Sequence, residues 1–550
     1  MTATTRAQGA STPDAAVAPR ATDAGVPLRA VYGPGDASGL DYARDLGDPG
    51  EFPFTRGRRS ARVGGAGATT GWIQRELSGE GSPARSNRQF RDLLAHGASG
   101  VDVIGDTPTV AALDPDHPMC TPAVGTGGVS ICRKQDFVEL FDGIPLDQIT
   151  ASHSLPASFA LAGQYVAARA GGVDPRVLRG SAIQAPMFGE DCSYATFMPF
   201  ALRMRLALDS IVFSIREMPR FHAFLEDTYF ISDGGLNVIE EMALGFVEIR
   251  EITRRLLARG MPVDAFAPRI AILVNCRMDV FEEIAKVRAT RRLYARMMRD
   301  EFGATDPRSL SAAVTVHTSG LTLTAAQPIN NVVRGAVQAV AMALAGVQGL
   351  EISTFDEAFR TPSKAAHLVA MRTQQVISEE TGVARVVDPL GGSWYVESLT
   401  DELERRIDEQ IRRIESVGDI GELVENGFFR ELFMHGMDRH AQEVQTGERR
   451  IVGVNAHALA PEEDTLLREV AEERFEPDLE HVERIRRWRR ERDRDRVAVA
   501  LEVVRAAAAD RTADLMGPIV SALDHECSIG EISGALRTAY GLPADPFVAV

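Results

Sequence analysis

A chain of 550 residues, 45% hydrophobic and 25% charged, has ample apolar material for one large α/β domain with appendages. Its formal net charge of −17 argues against a basic nucleic-acid footprint, and no apolar run approaches membrane-spanning length. Five cysteines (Cys120, Cys132, Cys192, Cys276, Cys527) lie far apart without CxxC spacing, which argues against disulfides or structural zinc and fits a reducing, cytoplasmic setting.

The first 40 residues, rich in Ala, Thr, Pro and Gly, read as a disordered leader, because the opening thirty contain no apolar core of a signal peptide. An N-terminal arm over 41–100 follows, loop-rich at first, with LGDPGEFPFTRG (46–57) and then the tract RRSARVGGAGATT (58–70). From 101 to 400, short β-branched segments alternate with long amphipathic ones. The expected strands are VDVIG (101–105), QITASHS (148–154), GSAIQ (180–184), either SIVFSI (210–215) or FHAFLE (221–226), RIAILVN (269–275), AAVTVHTSG (312–320) and LEISTF (350–355). Helices such as the one over 237–260 separate them, and about eight such units imply a closed parallel barrel of the TIM type, (β/α)8. The remainder, 401–550, reads as a helical region in which 479–504 forms one solvated helix of interleaved acids and bases.

Barrel interiors are usually filled by Val, Ile and Leu. Here Ser152 and Ser154, Ser181, His222, and Thr315 with His317 recur at alternate strand positions and therefore share a face. A hollow, ligand-accepting lumen explains that face; exposed sheet-edge positions are the alternative, and a closed barrel has no edges. The sequence contains no P-loop, no GxGxxG after a strand, no HExxH and no GxSxG. His317, at the C-terminal end of an expected strand, sits where barrel active sites gather, although a hydrogen-bonded packing role also fits.

Several blocks in order give the chain a family likeness: DYARDLGDPGEFPFTRG (41–57), FDGIPLDQI (141–149), FEEIAKVRATRRLYA (281–295), HTSGLTLTAAQPINNVVR (317–334), TFDEAFRTP (354–362) and RVVDPLGGSWYVESLT (385–400). It resembles the large, substrate-binding subunit of adenosylcobalamin-dependent acyl-CoA mutases, the methylmalonyl-CoA and isobutyryl-CoA mutase group. The resemblance implies a barrel around the pantetheine arm of CoA, and carbon-skeleton rearrangement of an acyl thioester. It also implies adenosylcobalamin, and because no DxHxxG cobalamin motif occurs here, a separate small subunit that brings it. The implied partners are an acyl-CoA or acyl-carrier-protein thioester and that subunit, in a homodimer or heterotetramer, with no nucleic acid or membrane.

Carried over by position, the resemblance makes Arg75, Leu77, Ser181, Ile183, Ser193, Arg220 and Arg269 the substrate-binding residues. Leu77 stands where the family uses an aromatic or other wedge, and Ser181-Ala182-Ile183 replaces Thr-Ile-Gln. Ser193 stands where an arginine meets the free carboxylate of methylmalonyl-CoA, and serine cannot form that bidentate pair, so an acyl group without a free carboxylate is expected. The catalytic set is Tyr229, Phe230, His317 and Asp233, with Phe230 in place of a histidine at the thioester carbonyl. Val110, Glu357 and His317 fall on the cofactor side, Val110 replacing a histidine and His317 a glutamine. Arg56, Arg58, Arg59 and Arg62 form either a solvated loop or a capture site for CoA phosphates or an acidic carrier protein. Two other readings stay open: a repurposed, cobalamin-independent enzyme using His317, His222, Asp233 and Tyr229, and a non-catalytic binding subunit.

Overall fold

The computed structural model describes residues 21–58, 71–188, 197–460, 462–464 and 476–547. Among these, nine strands run parallel in one sheet: β1 (Ile73–Gln74), β2 (Leu77–Ser78), β3 (Gly100–Ile104), β4 (Thr150–Ser154), β5 (Arg179–Gln184), β6 (Phe221–Asp227), β7 (Ile270–Cys276), β8 (Ala313–Thr318) and β9 (Gly349–Glu351). β3 to β9 pair in sequence order; β1 pairs with β9 and β2 with β3. β1 and β2 are one extended passage broken at Arg75 and Glu76, so this passage closes the sheet into an α/β barrel of the TIM type.

The strands sort their side chains by alternation. Val101, Val103, Ala151, Ile270, Ile272, Val274, Val314, Val316 and Leu350 point outward into the main core beneath the helices. At roughly 1.5–3 kcal/mol per fully buried aliphatic side chain, this layer is what fixes strand register. The helix Val238–Ala258 shows the matching design: Met242, Phe246, Ile249, Ile252 and Leu256 are buried, and Asn237 with Glu240 forms a capping box at its start. Gly180 at the start of β5 has φ +157°, and a Cβ there would lie 1.8 Å from the Ala151 carbonyl oxygen, so only glycine lets β4 and β5 pair.

Two sequence expectations differ from the structure, and an open alternative is decided by it. SIVFSI (210–215) lies inside the helix Phe200–Glu217, and FHAFLE is the strand β6; Ala, Leu, Met and Arg on either side of that β-branched run carry the helix through it. The segment 479–504 is two helices, Leu479–Glu491 and Arg494–Ala509, because Asp493 caps the second by accepting from the Asp495 and Arg496 amides. The first strand passage, β1 and β2, begins well before the alternating pattern does, at Ile73.

The C-terminal helices are fastened to the barrel layer by buried polar contacts. Arg205 donates to the carbonyls of Ala507, Ala508, Asp510 and Ala513, and the Ile529 amide donates to the Cys132 carbonyl at 2.7 Å. Among the described residues no helix is long and apolar enough to cross a membrane.

Candidate functional site: the lumen and its two mouths

The inward-facing strand positions make two unlike walls. On β5 to β8, Ile183, Leu225, Ala271, Leu273 and Ala313 form an apolar cluster that Tyr229 completes and Phe230 flanks. The opposite wall is polar and centres on Arg75, which is only 4% exposed. Its Nε donates to Glu351, its Nη1 to the Ser152 hydroxyl and its Nη2 to the Thr315 hydroxyl at 3.1 Å. Ser152 in turn bonds Ser181 at 2.6 Å, and Ser154 donates to Asp102 at 3.2 Å. Burial opposes the Arg75 charge, but the Glu351 and Asp102 carboxyls outweigh it and raise the pKa. Burial, with the neighbouring Glu351 carboxylate, pushes Asp102 up to about 7. The small polar lumen expected from alternation is present, with Ser152, Ser154, Ser181 and Thr315 all buried in it.

At the C-terminal mouth the short helix Thr228–Asp233 starts directly from β6, capped by Asp227, which accepts from the Phe230 amide at 3.3 Å. It lays the Tyr229 ring on the His317 ring, centroids 4.8 Å apart and planes 15° apart, with Phe230 edge-on to Tyr229 at 5.1 Å. The Tyr229 hydroxyl oxygen accepts from the Gly320 amide at 3.2 Å. Asp233 Oδ1 gathers Asn275 Nδ2 at 2.6 Å, the Ser319 hydroxyl at 3.0 Å and the Leu321 amide at 3.4 Å. Thus Tyr229, Phe230, Asp233 and His317, named together as the catalytic set, lie in one cluster.

His317 Nε2 lies 3.1 Å from Ser353 Oγ, whose own proton goes to the Thr318 carbonyl at 2.5 Å. The serine can therefore only accept, which places a proton on Nε2 of His317. Burial pulls the His317 pKa down to about 4 and pushes Glu357 up to about 8. Their 3.8 Å approach is accordingly a meeting of a neutral imidazole with a largely protonated carboxyl at pH 7, not an ion pair. Glu357 is positioned by the Thr354 amide, which donates to Oε2 at 2.7 Å. Val110, on the helix Thr107–Val110 after β3, and Leu77, on β2, stand outside the apolar lumen cluster; the Leu77 carbonyl accepts from His367 Nε2 at 2.9 Å.

The N-terminal mouth is cationic. Arg220 immediately precedes β6, and Arg269 ends the turn Ala267–Arg269 before β7. Burial, then Arg308 and Arg220, lower the pKa of Arg269, and burial, then Arg58 and Arg269, lower that of His222 to about 4. These arginines are thus electrostatic neighbours at one opening of the lumen. Arg56 is not a solvated loop residue: it donates to Asp388 and to the Tyr42 hydroxyl, each at 2.9 Å. Ser193, Arg59 and Arg62 lie outside the described residues.

Glu351, Asp102 and Asn275 were not singled out by sequence. The first two carried a usable signal, since each is a lone carboxylate at an inward position of an otherwise apolar or small strand. Asn275 had none; its place is defined by its bonds to Asp233 and the Tyr229 carbonyl.

A family model described as methylmalonyl-CoA mutase matches residues 21–542. The 2-hydroxyisobutanoyl-CoA mutase large subunit of Aquincola tertiaricarbonis is 34% identical over 518 residues, covering 94% of this chain and 91% of that protein. The methylmalonyl-CoA mutase of Rhizobium meliloti (strain 1021) is 34% identical over 523 residues, 94% of this chain and 72% of its own length. That of Escherichia coli (strain K12) is 32% identical over 522 residues, with the same two coverages of 94% and 72%.

Proposed function

The chain belongs to the methylmalonyl-CoA mutase family, whose members are isomerases that use adenosylcobalamin, and from that premise we propose a specific reaction and a division of labour. This chain is the large subunit of an acyl-CoA mutase that rearranges the carbon skeleton of an acyl thioester lacking a free carboxylate. The cobalamin comes with a separate small subunit. That the 2-hydroxyisobutanoyl-CoA mutase relative is itself named a large subunit supports this division.

The residues at the C-terminal mouth fit an adenosyl group. They offer uncharged or hydroxyl-seeking partners (the Glu357 carboxyl, His317, Asp233), and a Cβ on Gly320 would lie 3.0 Å from both Asp233 Oδ2 and the Tyr229 hydroxyl, so glycine keeps that approach open. Glu357 and Asp233 would take the ribose hydroxyls, with His317 and Tyr229 lining the side of the lumen that would face the cofactor. When bound, adenosylcobalamin supplies an organic radical by homolysis of its cobalt–carbon bond.

This chain's own residues bind, orient and exclude water. Arg220 and Arg269 at the N-terminal mouth suit the phosphates of CoA. The hydroxyls of Ser152, Ser154, Ser181 and Thr315 suit the amides and hydroxyl of a pantetheine arm along the polar wall. The apolar wall, from Ile183 to Tyr229 and Phe230, encloses the acyl end and keeps water from it.

The observation that carries the proposal is the acyl end itself: an apolar wall capped by the Tyr229–Phe230 pair, with Arg75 already bonded to Glu351, Ser152 and Thr315. Ser193 in place of the carboxylate-binding arginine agrees with it. The test mixes the full chain, adenosylcobalamin and a candidate small subunit with isobutyryl-CoA or methylmalonyl-CoA. Electron paramagnetic resonance should show cob(II)alamin with the first and not the second. No cofactor binding beside a competent small subunit would overturn the reading, and turnover without cobalamin would favour a repurposed enzyme.

A further inference from the structure

We propose that Glu351 is a built-in counter-ion that sets acyl specificity: by occupying Arg75, it makes the lumen refuse thioesters that carry a free carboxylate. The inference rests on the acyl-thioester reading above and names the residue that enforces its substrate class.

Position comes first. Glu351 is the last residue of β9 and pairs in register with His317 of β8, so it lies level with the cluster at the acyl end. Arg75 follows β1, whose register runs Ile73 to Gly349 and Gln74 to Leu350, and this brings Arg75 opposite Glu351. All three guanidinium nitrogens are then engaged by the protein itself, on β9, β4 and β8. The ion pair is sealed, with side chains 5% and 3% exposed.

Charge balance comes second. Beside this single guanidinium stand the carboxyls of Glu351 and Asp102, and Glu357 adds a third near the mouth. Glu351 raises the pKa of Asp102 and of Glu76 after burial does, so these groups feel one another's charge. Among the described residues, a substrate carboxylate placed here would find Arg75 already engaged and would face the Glu351 charge, whereas a neutral acyl group meets the apolar wall. Removing the Glu351 charge reverses this by leaving a buried arginine in need of an anion.

The experiment uses the full chain without cofactor, and calorimetry compares isobutyryl-CoA with methylmalonyl-CoA. The wild-type chain should favour isobutyryl-CoA, and Glu351→Gln, which keeps shape but removes charge, should shift that ratio toward methylmalonyl-CoA by about tenfold or more, as expected for one charged hydrogen bond. A wild-type chain that binds both thioesters, with an unchanged ratio in the folded variant, refutes the counter-ion and leaves the acyl-thioester reading intact. A wild-type chain that binds neither refutes that reading instead. Glu351→Ala gives a measurement independent of any thioester: acetate should raise its melting temperature saturably and acetamide should not. Equal effects of acetate and acetamide would overturn the proposal.

Discussion

Asp102 offers a test of the lumen in which one atom changes. Its carboxyl is fully buried and its pKa rises from 3.8 to about 7, through burial first and the Glu351 carboxylate next. Between those two values the folded chain holds a proton on Asp102 that the unfolded chain has released. The folded state then binds more protons, so this group's contribution to stability falls as pH rises from about 4 to 7, and levels off above that. At about 1.36 kcal/mol per pH unit, the loss is on the order of 4 kcal/mol by pH 8. Asp102→Asn removes the titration and keeps an acceptor for the Ser154 hydroxyl. For 550 residues the unfolding entropy is roughly 1.2 kcal/mol per degree, so 4 kcal/mol corresponds to about 3 °C. Scanning calorimetry of both proteins from pH 4 to pH 8 should show the variant's melting temperature climbing relative to wild type by about that amount. Curves that stay parallel across the range would refute the placement of Asp102 beside Glu351 in a sealed lumen.

Two further outcomes follow from the same geometry. Lys286 is wholly buried and holds Glu241 at 3.0 Å, Glu283 at 2.6 Å and the Asn275 carbonyl at 2.8 Å. Lys286→Met should cost about 3–5 kcal/mol by stranding two carboxylates, and adding Glu241→Gln and Glu283→Gln should recover much of the lost melting temperature; no recovery would contradict the triad. His317, with its pKa drawn down to about 4 by burial, should remain neutral from pH 5 to pH 8. Its imidazole carbon resonances should therefore stay constant over that range, and a midpoint near 6.5 would show that water reaches the ring.

Much of the barrel was legible because its outer face must be apolar and its strands alternate. Ser152, Ser154, Ser181 and Thr315 betrayed a lumen by breaking the usual aliphatic interior, and all four are buried there. His317 was legible from its place at a strand's C-terminal end. The closing passage was not: β1 and β2 are two residues each, interrupted by Arg75 and Glu76, so no period-two run exists to detect. Nor was the Arg75–Glu351 pair, whose partners are 276 residues apart and meet only through barrel closure. The break at Arg492 and Asp493 was hidden because periodicity continues across it, while the Asp493 cap that ends it is a single residue.

The central claim is that a carbon skeleton is rearranged at the acyl end of this lumen. The most direct measurement is carbon-13 NMR of isobutyryl-CoA labelled at the thioester carbonyl, incubated with the chain, a competent small subunit and adenosylcobalamin. The expected result is migration of the labelled thioester carbon to the neighbouring carbon, dependent on cobalamin. Consumption of the thioester with the label unmoved, or with cobalamin omitted, would contradict it.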